Sequence, residues 1–318
     1  MEKPLVSVIL LCYNQEDFIA QAIESVLAQE TDFNYEIILG DDASDDDTTH
    51  ICQQYKHIYP DKIVLQLNEN NKGICRNYFD CLMLAKGDYI ADCAGDDFWL
   101  DPHKLQREVD AFRAHPQLSF VYARAKNWMQ NRQEFEEQTS PYQEQIFRDK
   151  DFGPATAARF LSKQFFPTVV LSAATYRKEI VLKAYQAFPE IFIASSVVAE
   201  DLPITSVLLM AGPACYLPYD HLAYRVLDES VSHSRDLYKK HRFIWTCARQ
   251  TYQIAQCLGL GKKSIKSFMK RALRDELHYA YQTRNEDFAK EIFSFWTSTG
   301  YRKRLKDYVK YALILILA

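Results

Sequence analysis

Glycine is scarce in this chain, nine in 318 residues, and none falls in the G-x-G-x-x-G or Walker spacing that cradles phosphate on a helix N-terminus. That argues against a dinucleotide oxidoreductase and a P-loop nucleotidase. H-E-x-x-H and G-x-S-x-G are missing as well, which argues against zinc-peptidase and serine-hydrolase chemistry. The eight cysteines, at positions 12, 52, 75, 81, 93, 215, 247 and 257, include no C-x-x-C pair and no zinc-like spacing. Several lie inside apolar runs, as small buried thiols of a reducing compartment do. Met1-Glu2-Lys3-Pro4 leads straight into a strand pattern, so no cleaved signal is expected. No apolar run reaches the roughly 18–20 residues of a spanning helix. The expected location is the cytoplasm, with attachment to the cytoplasmic face of a membrane a further option.

What is present is the composition of a globular chain, 48% hydrophobic and 25% charged, long enough for one large domain or two unequal ones. Its charge is unevenly spread. Residues 1–234 hold 20 Lys and Arg against 35 Asp and Glu, whereas residues 235–318 hold 18 against 7. The two parts should therefore do different work.

Strand and helix patterns alternate from the start. Strands are expected at Leu5–Leu11, Tyr35–Leu39, Ile63–Leu67, Asp88–Cys93 and Leu118–Ala125. Helices are expected at Phe18–Leu27, Thr48–Tyr59, Asn77–Ala85 and Lys104–Ala114, the last begun by Asp101 as cap with Pro102. Units of this length predict a doubly wound α/β sheet flanked by helices. Residues 128–154 are polar and aperiodic and read as a long loop. Beyond them Thr168–Thr175 reads as a strand, Arg177–Ala187 and 204–211 as helices, and Ala214–Tyr219 as a strand. After about residue 234 the pattern becomes consecutive amphipathic helices, at 238–258, 262–282 and 285–296.

Two pairs of adjacent aspartates stand at strand ends, Asp41-Asp42 after Gly40 and Asp96-Asp97 after Gly95. Adjacent carboxylates repel, so each pair needs cations, donors or water around it. In an open parallel sheet ligands bind at the C-terminal strand ends, and the pairs therefore suggest a metal with a phosphorylated ligand. A solvated turn rich in cap residues is the competing reading of Asp41-Asp42, given Ser44-Asp45-Asp46-Asp47.

The ordered motifs resemble family 2 glycosyltransferases of the GT-A fold. They run Val6–Asn14, Ser25–Gln29, Gly40–Thr48, Asn71-Lys72-Gly73, Lys86–Ile90, Asp96–Leu105, Glu200-Asp201, and Tyr224-Arg225 through Ser230-Val231-Ser232. The resemblance covers about residues 5–232. It implies a mostly parallel GT-A sheet in a catalytic domain over 1–233, with a nucleotide-sugar half at about 1–127 and an acceptor half at about 155–233. Residues 234–318 would be a basic, all-helical extension.

Several site roles follow from the resemblance. Asp42 would accept a hydrogen bond from the base ring, with Tyr13 lining that pocket. Asp97 would bind Mg²⁺ or Mn²⁺, for which one or two carboxylates suffice beside phosphate and water. Asp96 would hold the ribose or a metal-bound water. Asp201 would be the base that deprotonates an acceptor hydroxyl during inverting transfer, although helix capping competes for it. Arg76 and Arg225 would lie near the nucleotide, Arg225 offering its donor fork to the diphosphate, and His233 would add a metal or phosphate contact. An ordinary ion pair or satisfied histidine explains those three as readily.

The expected activity is transfer of a sugar from a nucleotide-diphosphate donor, a UDP-sugar by expectation, to a glycan or lipid-linked acceptor in surface polysaccharide or lipopolysaccharide assembly. No nucleic-acid partner is expected. A nucleotidyltransferase would show a Gly-rich basic loop where Leu11-Cys12-Tyr13-Asn14 stands, and a catalytically inactive glycan-binding scaffold need not keep Asp42, Asp97 and Asp201 together. The basic residues of the C-terminal region, with the apolar stretch Tyr308–Ala318 broken only by Lys310, suit peripheral membrane contact or a helical interface.

Overall fold

The computed structural model describes residues 5–136, 147, 150–162, 169–194, 197–227 and 236–317. The centre of the sheet is built from strands with almost no solvent-facing side. β1 (Val6–Cys12) and β2 (Tyr35–Asp41) are buried nearly throughout, as parallel strands covered on both faces must be. β1 pairs in parallel with β2 on one side and with β4 (Tyr89–Ala94) on the other, and β2 pairs in parallel with β3 (Ile63–Leu67). The crossovers are α1 (Ile19–Leu27), α2 (Thr48–Ile58) and α3 (Ile74–Leu84). α1 buries Ile19, Ala22, Ile23 and Val26, the i, i+3, i+4, i+7 stripe of a helix lying on a sheet.

The second half carries β5 (Phe98–Trp99), α4 (Lys104–Ala114), β6 (Phe120–Met129), β7 (Glu134–Phe135), α5 (Pro154–Leu161), β8 (Ala174–Arg177), α6 (Lys178–Ala187), α7 (Glu190–Ile193), α8 (Asp201–Ala211) and β9 (Ala214–Val226). The strand order is β3-β2-β1-β4-β8-β6-β9-β5, with β7 paired to β6. Past β4 the directions mix. β8 is antiparallel to β4 and β6, β6 runs parallel to β9, and β5 lies antiparallel on β9. This is the GT-A arrangement, a mixed α/β sheet followed by helices.

Four local expectations shift. Part of the supposed 128–154 loop is a hairpin, with β6 extending to Met129 and turning into β7. It is polar because it lies at a margin where burial imposes no period. The strand expected over Thr168–Thr175 starts later. Leu171–Ala173 forms a 3-10 turn and Thr168 lies outside the described residues. α4 is capped by His103, while Asp101 Oδ1 accepts the His103 N–H at 2.9 Å. α8 begins at Asp201, three residues earlier than expected, because Pro203 falls in its first turn, where no N–H is needed.

The C-terminal helices are α9 (Leu237–Cys257), α10 (Lys266–Gln282), α11 (Glu286–Thr299) and α12 (Leu305–Leu317). The boundary expected at 233/234 lies outside the described residues. The apolar core runs through both regions: Phe79, Ile90, Tyr176, Leu208, Trp245 and Trp296 belong to one cluster.

A buried charge network ties α4 to the sheet. Lys104, Glu108 and His221 are fully buried. Glu108 accepts from Lys104 Nζ at 2.8 Å and from Thr175 Oγ1 at 2.5 Å, and His221 Nδ1 lies 2.9 Å from its other oxygen. Burial pushes the Glu108 carboxyl up, but Lys104 and His221 outweigh it and hold it below the ordinary value. Removing one partner from such a group strands the others. Glu108→Leu should cost about 3–5 kcal/mol, read as a lower urea midpoint; an unchanged midpoint would show that α4 does not depend on the network.

Candidate active site

The two aspartate pairs flank the end of β1. Cys12 lies opposite Asp41, and Leu11 opposite Ala94, so Tyr13, Asp42 and Asp96 all emerge at the C-terminal edge of neighbouring strands. Both preceding glycines are required by space. A Cβ on Gly95 would sit 2.8 Å from the Leu11 carbonyl oxygen, and one on Gly40 would press into Cys81 Sγ. Asn14 and Ala43, at the tips of β1 and β2, both take positive φ, 52° and 62°. Their loops are stitched together: Asn14 N–H donates to Ser44 Oγ at 3.0 Å, Asp45 N–H to Asn14 Oδ1 at 2.9 Å, and Gln15 N–H to Thr48 Oγ1 at 2.7 Å.

The first pair divides its labour. Asp41 is buried and accepts from Ser44 and from the Thr49 hydroxyl, which fixes the turn into α2. Asp42 is also buried. Its Oδ1 accepts from Asn68 Nδ2 and the Lys72 N–H, both at 2.9 Å, and its Oδ2 from the Gly73 N–H at 2.8 Å. A carboxylate has about four acceptor positions, so one direction on Oδ2 is left for a further donor. Tyr13 stands 46% exposed at the adjacent strand tip.

The second pair is unevenly enclosed, with Asp96 partly exposed and Asp97 buried. Asp97 is 2% exposed, and its Oδ1 accepts the Arg225 N–H at 2.9 Å. Burial first, and then the charge of Asp96, push its carboxyl well above the usual range, while the Arg225 N–H and charge and the Ser172 side chain pull it back. Burial likewise raises Asp96. A divalent cation is the counter-charge that would reverse both shifts, and hard carboxylate oxygens suit Mg²⁺ or Mn²⁺. Among the described residues no three His, Cys, Asp or Glu side chains converge. The protein would then supply one or two ligands, leaving the rest to phosphate and water, as Mg²⁺ accepts.

Arg225, expected against a diphosphate, has its guanidinium engaged by the protein. It is 5% exposed, and its guanidinium donates to the Asp96 carbonyl at 2.5 Å, to Gln21 Oε1 at 2.6 Å and to Gln130 Oε1. Phe18 and Phe98 lie over it, with ring centroids 4.7 and 5.2 Å away. It braces the Asp96-Asp97 turn from behind. Arg76, on α3, is half exposed, with Asp80 at 3.6 Å. His233 lies outside the described residues.

Asp201 opens α8, and Glu200 is its N-cap residue. Burial first, and then the Asp201 charge, raise Glu200 to about 7. Cys75 on α3 is raised by burial, with Glu200 and Asp201 adding to it. The pair therefore lies within electrostatic reach of the start of α3. From α9, Gln250 is 1% exposed and grips the backbone just before the pair. Its Nε2 donates to the Ala199 carbonyl at 2.6 Å, and its Oε1 accepts the Val198 N–H at 3.3 Å.

Comparison with known proteins settles the relationship. The family described as Glycosyl transferase family 2 matches residues 7–182, more than half of the chain. The chain belongs to this family. It is similar to an uncharacterized protein, Rv1520, of Mycobacterium tuberculosis, 39% identical over 116 residues, which are 36% of this chain and 34% of that one. It is also similar to chondroitin synthase of Escherichia coli, 35% identical over 124 residues, 39% of this chain and 18% of the synthase. The aligned stretches thus span about a third of the first of these relatives and less than a fifth of the second. Among solved structures, TarS of S. aureus in complex with UDP shares the fold at a TM-score of 0.55 and 20% identity, covering 89% of this chain and 79% of that one. The mannosyltransferase PcManGT of Pyrobaculum calidifontis, solved with GDP-Man and Mn²⁺, does so at 0.52 and 18%, covering 100% and 81%. The fold of this chain is the GT-A fold, followed by a helical C-terminal region.

Sequence reasoning missed Ser172, Gln130, Gln21 and Gln250, isolated polar residues whose roles arise only when distant segments meet. Glu200 was quoted but given no task. Its raised pKa means the folded chain binds that proton more tightly than the unfolded chain does. The stability tied to the proton is complete below the ordinary value of 4.5 and is lost as pH rises through about 7. Glu200→Gln should therefore gain stability relative to wild type as pH climbs through that interval and keep the gain above it. Urea unfolding at a series of pH values would show this, and parallel wild-type and variant curves would refute it.

Proposed function

We propose that the chain is a metal-dependent, inverting glycosyltransferase that moves a sugar from a UDP-sugar to a growing glycan or lipid-linked glycan at the cytoplasmic face of a membrane. The observation that carries the reading is the arrangement around β1: Tyr13 and Asp42 on one side of its tip and Asp96-Asp97 on the other. The UDP complex of TarS supports a uridine donor, and the name of the chondroitin synthase supports a polysaccharide product. Residues 1–233 would form the catalytic part and 234–318 the basic extension.

In this reading the base ring enters beside Tyr13 and donates its N3–H to the open direction on Asp42 Oδ2. Asp97 would hold Mg²⁺ or Mn²⁺, with Asp96 turned to the ribose or a metal-bound water. When bound, the cation supplies positive charge against the diphosphate as the leaving group's charge grows. Arg225 serves by bracing the turn that carries both carboxylates. Asp201, at the start of α8, takes the proton of the acceptor hydroxyl. The hydroxyl oxygen bonds to the anomeric carbon as the bond from that carbon to the diphosphate breaks on the opposite face. Glu200, raised to about 7, stands beside the base.

Asp97→Ala and Asp201→Asn should each lower transfer by about 10²–10⁴-fold, the range of general acid–base contributions. Asp201→Asn should leave UDP affinity unchanged. The donor for the assay comes from a thermal-shift screen of nucleotide-sugars with and without Mn²⁺, and turnover is read as UDP release. Wild-type turnover by Asp201→Asn would remove it as the base; undiminished UDP-sugar binding by Asp97→Ala with Mn²⁺ present would remove the metal role.

A further inference from the structure

The last helix has two apolar faces where packing needs only one. Facing inward, α12 buries Asp307 and Ile314, and Tyr311 stacks on Phe293 at 4.0 Å between centroids. At about 100° per residue, Leu305, Val309, Ala312 and Ile316 fall along a single line on the opposite side. All four are exposed, Leu305 at 80%, Val309 at 49% and Ile316 at 75%, with Tyr308 and Leu313 beside them. A helix lying on a globular core presents polar residues outward, and a continuous exposed apolar strip marks a contact surface.

The charges around it indicate which contact. Lys270 on α10 is pushed below the ordinary lysine value, by burial first and then by Lys266, Arg274, Arg302 and Arg304. Lys266, Lys270 and Arg274 follow at one-turn spacing on α10, and Arg274 and Arg304 share Asp307, so cations gather at the end where α12 begins. Asp307 answers Arg304 at 3.2 Å and Arg274 at 3.8 Å. Lys306 is exposed, and Lys310 follows one turn later on the same flank. Two copies meeting across this face would bring like charges together, whereas a sheet of anionic headgroups would neutralise them. No helix among the described residues is long and apolar enough to cross a membrane.

We propose that α12 docks the protein on an anionic bilayer, lying in the plane of the surface with Leu305, Val309, Ala312 and Ile316 inserted among the headgroups. The cations of α10 and of residues 302–310 then face lipid phosphate, as in other interfacial helices. This docking is independent of the catalytic roles proposed above, since none of these residues belongs to the strand-end site.

The test uses the full chain and flotation with vesicles of phosphatidylcholine alone or mixed with phosphatidylglycerol. Binding should require phosphatidylglycerol and weaken with salt. The triple variant Leu305→Gln, Val309→Gln, Ile316→Gln should reduce the bound fraction about tenfold while melting at the wild-type temperature, since these side chains are exposed. Arg302→Gln with Lys306→Gln should reduce binding and flatten its salt dependence. Failure of the wild type to bind the anionic vesicles, or equal binding by the triple variant, overturns the proposal. So does sedimentation showing a wild-type dimer that the triple variant dissociates, because a second copy would then be the occupant.

Discussion

Buried carboxylates have to be answered, and in this molecule the answering groups come from distant parts of the chain. Asp41 is held by the turn into α2, Asp42 by the loop that starts α3, Asp97 by the backbone of β9, and Glu108 by α4, β8 and β9 together. An unpaired charge in any of these places would cost more than the fold has to spare. Each pairing also sets the position of a loop. The acids that point to a ligand site and the acids that shape its walls are in part the same residues.

That dual use divides the two aspartate pairs. Asp41 and Asp42 accept so many donors from the chain that only one direction on Asp42 stays open. Asp96 and Asp97 are backed by a single buried guanidinium, whose three contacts with the protein leave the carboxylates themselves under-compensated. The first pair thus has little acceptor capacity to spare. The second would need a nearby positive charge to carry its full negative charge.

Most of the parallel sheet was legible in the sequence, because β1, β2 and β4 are apolar on both faces and their helices repeat at helical spacing. The order of the motifs was enough to name the family. The margins were not legible. β5 and β7 are two residues long each, and the 3-10 turn at Leu171–Ala173 has no period. At the site, residue type foretold which acids to examine, but not that the Arg225 guanidinium would lie between Phe18 and Phe98. A guanidinium that braces a turn and one that binds a ligand look the same in sequence, since the difference lies in partners such as Gln21, more than two hundred residues earlier.

The grip of Gln250 on the backbone before Glu200 has an evolutionary reach. The shared family region ends at residue 182, so it includes the strand ends beside β1 but neither α8 nor the helix that steadies its entrance. Drift in α9 could tilt the start of α8 by fractions of an ångström without touching the strand ends beside β1. On the roles proposed for these two places, a lineage built this way could keep its donor while its acceptor changes.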